Sequence, residues 1–112
     1  MVVQIAATNT LAQRLQTLAQ IYRQGQASEL MDRALDKLLA YETETSRAQL
    51  SQLQSDLDEF ELRYKMSSLD FYHRYKMGQT DDRMDFVEWA SLVQMAENLK
   101  LRIRTLSGED QP

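Results

Sequence analysis

Residues 1–8 read MVVQIAAT, and the fold turns on them. Val2, Val3 and Ile5 are β-branched, and no helix cap precedes them, so residues 2–7 are expected to form a β-strand. Alternation would place Val3, Ile5 and Ala7 on one face and Val2, Gln4 and Ala6 on the other. A strand needs a partner strand, and no second strand is legible downstream. A lone exposed strand is a sticky edge. The economical solution is symmetry, with two copies of residues 2–7 paired antiparallel in a homodimer.

Everything after this stretch reads as helix. Thr8, Asn9 and Thr10 offer N-caps, and Thr10 with Gln13 fits a capping box. Leu11, Leu15, Leu18, Ala19 and Tyr22 then recur at spacings of three and four. Gly25 is placed to stop this helix, with Arg23 near its C-terminal end. A second helix opens near Ala27 and Ser28, with Leu30, Met31, Ala34, Leu35, Leu38 and Tyr41 on one stripe. Residues 42–46 interrupt the apolar pattern, as either a joint or an exposed turn of one long helix. Leu50, Leu53, Leu57, Phe60 and Tyr64 follow as a short heptad seam. Residues 66–68 can cap a short helix carrying Leu69, Phe71, Tyr72 and Tyr75. Residues 78–81 form a loop, and a last helix is expected from about Asp82 to Leu106. Its acids, Asp81, Asp82 and Asp85, gather at the start, and Lys100, Arg102 and Arg104 near the end, which suits the helix dipole. Residues 108–112 are expected to form a flexible tail.

The bulk numbers narrow the function classes. The chain has 112 residues, 43% of them hydrophobic and 27% charged, with a formal net charge of −4. That balance argues against a non-specific nucleic-acid coat. Yet residues 1–28 hold Arg14 and Arg23 and no acidic residue, so the negative charge lies entirely further along. There is no cysteine, which excludes disulfides and thiolate metal sites and fits a cytoplasmic protein. No apolar run is long enough to span a membrane, and no leader peptide is expected. His73 is the sole histidine, Gly25 and Gly78 stand apart, and no nucleophile–base pair is suggested by spacing. Asp81, Asp82, Asp85 and Glu88 suit capping better than metal binding. The expectation is therefore a non-enzymatic protein without cofactor or metal.

Two resemblances sharpen this. The order strand, helix, helix over about residues 1–42, with Gly25 at the turn and Ser28-Glu29-Leu30 opening the second helix, resembles the ribbon-helix-helix family. That resemblance implies a dimeric ribbon that enters the DNA major groove. Val2, Gln4 and Ala6 would face the bases, with Gln4 suited to adenine. Arg14 would lie among the DNA contacts, and Gln26, Ala27 and Ser28 would hold a phosphate. The basic residue usual on such ribbons is missing here. Residues 60–103 are similar to the C-terminal part of small antitoxins, through Tyr64, Met66, Ser67, Phe71, Gly78, Asp81, Asp85, Phe86, Glu88, Trp89 and Ala90. Together the two halves imply a type II antitoxin. Its helical region, residues 43–107, would neutralise a small toxin, an RNase, while the N-terminal region represses its own operon by binding operator DNA. Phe60, Tyr64, Phe71, Tyr72, Tyr75, Asp81, Asp85, Phe86 and Trp89 are the expected partner-binding residues, the acids speeding encounter with a basic partner and the aromatics anchoring it. The alternative is a helical adaptor or assembly protein whose strand serves only to dimerise.

Overall fold

A computed structural model describes the backbone of residues 2–108 and the side chains of residues 10–108, so the expected flexible tail lies, from residue 109 on, outside the described residues. Its elements are α1 (Val2–Arg23), α2 (Glu29–Tyr64), α3 (Ser68–Lys76) and α4 (Met84–Ser107). No strand occurs among the described residues, and the expected N-terminal ribbon is overturned. Residues 2–7 are the opening turns of α1, which runs unbroken through the Thr8–Thr10 stretch expected to cap it. The physical reason is backbone accounting. A strand without a partner leaves its N–H and C=O groups unpaired, whereas a helix pairs them within itself. Val and Ile lower helix propensity by only about half a kcal/mol each, and the alanines and glutamines that follow favour it.

The chain divides into two compact units, one up to Lys37 and one from Leu38. In the first unit, α1 ends in a complete Schellman motif. The Gly25 N–H donates to Tyr22 O and the Gln26 N–H to Ile21 O, each at 3.0 Å. Gly25 takes φ +69°, the left-handed conformation that this motif requires. Ser28 then caps α2, its Oγ accepting the Met31 N–H at 3.2 Å. The Tyr22 hydroxyl donates to Asp32 Oδ1 at 2.8 Å across the turn. Leu18, Ile21, Ala27, Met31 and Leu35 are half-buried.

The second unit holds the core. Within it α2 continues without a joint through residues 42–46. Thr43 returns its hydroxyl proton to Leu39 O at 2.7 Å, so its polar side chain does not interrupt the helix. Leu53, Leu57 and Phe60 of α2 meet Phe71 of α3 and Trp89, Ala90, Val93 and Ala96 of α4. The short heptad seam thus lies against the other two helices of the unit. The turn from α2 to α3 uses Lys65 at φ +54°, a left-handed residue with a Cβ. Ser67 caps α3 by accepting the Asp70 N–H at 3.1 Å, and Glu61 Oε2 accepts the Ser68 N–H at 2.8 Å. Gly78, at φ +72°, closes α3 with a second Schellman motif, its N–H donating to Tyr75 O and that of Gln79 to Arg74 O. No helix among the described residues is long and apolar enough to cross a membrane.

Candidate interaction site

Trp89 is the centre of the second unit and is fully buried. Its indole lies face to face with Phe71, ring centroids 3.9 Å apart and planes 2° apart. Phe60 stacks at 5.5 Å and Tyr64 at 5.7 Å. Phe86 meets Tyr64 edge-on at 5.0 Å. The indole N–H donates to Ser68 Oγ at 2.9 Å, which satisfies the one polar atom of the ring. Ser68 is held for this by its place in the first turn of α3, directly after the Ser67 cap.

The acids at the rim are engaged within the chain. Asp85 accepts from the Tyr64 hydroxyl and, at 3.0 Å, from Arg63. The Tyr64 bond and then the Arg63 guanidinium hold the Asp85 carboxyl below the usual carboxylate range. Asp81 takes the Arg83 guanidinium at 2.8 and 2.9 Å and the Arg83 N–H at 3.1 Å. These bonds lower the Asp81 pKa and raise that of Arg83. Arg83 also lies over the Phe86 ring, 4.7 Å from its centroid. Among the described residues no three acidic or histidine side chains converge on a point where a metal could sit.

The structure therefore gathers the expected partner-binding residues but assigns several of them other work. Phe60, Phe71 and Trp89 are core, closed off from any partner. Tyr64, Asp85 and Phe86 are half-buried at its rim, and Asp81 is exposed but paired. Tyr72 and Tyr75 remain half-open, lining a shallow groove of about 440 Å³ with Lys76, Val87, Ala90, Ser91 and Gln94. Of the expected DNA-binding residues, Val2, Gln4 and Ala6 belong to α1, and their side chains lie outside the described ones. Successive helix positions turn by about 100°, so these three do not form the single outward row of a strand. Arg14 is exposed on α1. The Gln26 amide is donated to Ile21 O rather than left for a phosphate. Ala27 is half-buried, and Ser28 is occupied as a helix cap.

Two features escaped sequence reasoning. Ser46 is 2% exposed and accepts from Arg102 Nε at 3.1 Å, while Arg102 Nη2 pairs with Glu42 at 2.9 Å. This clasp between α2 and α4 joins residues too far apart in sequence for any spacing rule. The second feature is the first unit's bare apolar surface. Leu11 is 59% exposed, Leu15 64% and Leu30 73%, and none of residues 10–37 is buried. The amphipathic stripe was legible, but nothing in its spacing says whether it is covered. No protein-family model matches the chain, and no curated protein or solved structure matches it either.

Proposed function

We propose that the chain is a non-catalytic helical interaction module. The second unit holds its closed core, and the hairpin of α1 with the opening of α2 is its docking surface. The observation that carries this is the contrast between the units. One closes a stacked aromatic core, while the other presents leucines at helical spacing with no buried residue from 10 to 37. A hairpin of that size cannot hold itself together on local hydrogen bonds, since isolated helices owe most of their stability in proteins to packing of the apolar face. Its exposed stripe gains that packing from another surface.

This reading is broader than toxin neutralisation, the role implied by resemblance. That role drew on a ribbon, which is helix here, and on aromatic anchors, of which Phe60, Phe71 and Trp89 are closed into the core. The assay is affinity capture with the full chain as bait, comparing wild type with a Leu11→Lys, Leu15→Lys variant. A defined protein, whether another chain or an untagged copy of this one, is expected with wild type and lost with the variant. An identical captured set from both would refute the hairpin as the docking surface.

A further inference from the structure

We infer that the partner of the α1 stripe is a second copy of this chain, packed antiparallel against α1 about a two-fold axis. The inference rests on the hairpin being the docking surface and adds the identity of its occupant.

The spacing carries it. Leu11, Leu15, Leu18 and Tyr22 follow one another at intervals of four, three and four, a pattern that reads the same in both directions. Laid antiparallel, Leu11 falls opposite Tyr22 of the second copy and Leu15 opposite its Leu18, so every position on the seam meets an apolar side chain. A two-fold contact has this self-complementary form, each residue pair occurring twice. Tyr22 can join the seam because its hydroxyl is already bonded to Asp32 at 2.8 Å.

Charge agrees. Residues 1–28 carry only Arg14 and Arg23. In this register Arg14 falls opposite Ala19 and Arg23 opposite Thr10, so no like charges meet. The surface suits a weak contact. Leu11 and Leu15 are 59% and 64% exposed and Tyr22 37%, while Leu18 is half-buried. At up to about 120 Å² of apolar surface for a fully open side chain, the four seam residues offer roughly 230 Å² per protomer. Apolar atoms make up about 60% of an interface, which puts the whole contact at about 800 Å² over both copies, the size of a transient association. The dimer is therefore concentration-dependent and is sought from micromolar to millimolar protein.

Sedimentation equilibrium of the full chain across that range tests it. A monomer–dimer equilibrium is expected, abolished by Leu15→Lys and retained in Leu62→Lys, a change at a comparably open position of α2. Helix content and tryptophan emission of Leu15→Lys should match wild type, because Leu15 is outside the core. Direction is read from spin labels on single cysteines, which the natural chain lacks. Labels at Ala19→Cys, which flanks the seam, should lie across the helix–helix spacing of about 10 Å with a displacement of about 7–8 Å along the axis, from the helical rise. Labels at Ala12→Cys, on the same flank, should be displaced by about 13–14 Å along the axis. Equal short distances at both positions would mean parallel pairing and overturn the proposal, as would a dimer that survives Leu15→Lys. A chain that stays monomeric yet captures one defined protein through Leu15 overturns the second copy but leaves the interaction module standing. A monomer that captures nothing overturns both.

Discussion

Replacing Ser68 by Ala isolates the polar contact at the centre of the core. Trp89 is fully buried, and its indole N–H has Ser68 Oγ as acceptor at 2.9 Å. Ser68→Ala removes that acceptor without removing the ring. A buried donor left without a partner costs about 1–3 kcal/mol, and alanine in the first turn of α3 returns at most a few tenths through helix propensity. The net loss should be about 1–2 kcal/mol. Trp89 is the only tryptophan, so its emission reports on the second unit alone. In urea, with a slope of about 1 kcal/mol per molar for a unit of this size, the fluorescence midpoint should fall by about 1–2 M. A double-mutant cycle decides the cause. Phenylalanine has no N–H, so in a Trp89→Phe background Ser68→Ala should be nearly neutral, giving a coupling energy of about 1 kcal/mol or more. Equal losses in both backgrounds would show that Ser68 acts only through packing or capping. A midpoint unchanged by Ser68→Ala would show that the indole finds water instead, and that Trp89 is less enclosed than the stacking with Phe60 and Phe71 requires.

Lys65→Gly relieves a left-handed residue at φ +54° and should stabilise the second unit by about 0.5–1 kcal/mol, seen as a higher urea midpoint; a loss would mean that the Lys65 side chain contributes more than its backbone strains. The Asp81 and Asp85 carboxyls have folded pKa values below their unfolded ones, so the stability they contribute is fully present above the unfolded range near pH 4 and is lost as pH falls through the folded values. Thermal melts should accordingly be flat with respect to these groups from neutral pH to about pH 5 and decline below about pH 4, and Asp85→Asn should lower the neutral-pH midpoint while flattening that acid decline. Arg102→Ala leaves the Ser46 hydroxyl without its partner and should cost about 1 kcal/mol or more by chemical denaturation, an effect that Ser46→Ala should largely remove if the contact itself is responsible.

Periodicity told which helix faces are apolar, but not which of them close on their own chain. Leu53 and Leu57 of the heptad seam are core, and so are Phe60 and Trp89, which were expected to meet a partner. The stop signals at Gly25 and Gly78 were legible because a glycine at a left-handed position has a single mechanical reason to be there. The turn at Lys65 was not, since the same backbone conformation is carried by a residue that gives no such signal. The error at residues 2–7 has a different origin. β-branched composition is a weak local preference, and here the helix continues into strongly helical sequence while no strand is at hand to complete a sheet. Aromatic residues posed the hardest ambiguity. Trp89 and Phe71 satisfy one another through a contact 18 positions apart in sequence, and nothing local separates an aromatic that anchors a partner from one that anchors its own chain. The acids nearby illustrate the same limit. Asp81 and Asp85 read as a patch that steers a basic partner, yet Arg83 and Arg63 are the bases they meet.

The two leucine seams of this chain bring that limit to a point. Leu50, Leu53, Leu57 and Phe60 are spaced three, four and three; Leu11, Leu15, Leu18 and Tyr22 are spaced four, three and four. As helix faces they are equivalent. In the second unit α3 and α4 supply Phe71, Trp89 and Val93 to cover the seam, and Leu57 is 5% exposed. In the first unit only the short opening of α2 follows α1, and Leu15 is 64% exposed. What differs is the supply of covering chain, a property of topology rather than of the helix. An amphipathic stripe is a demand for apolar surface, and the protein meets it internally where the chain returns. Within the first unit the stripe stays open, and the proposed second copy would meet that demand with the same palindromic and nearly uncharged face.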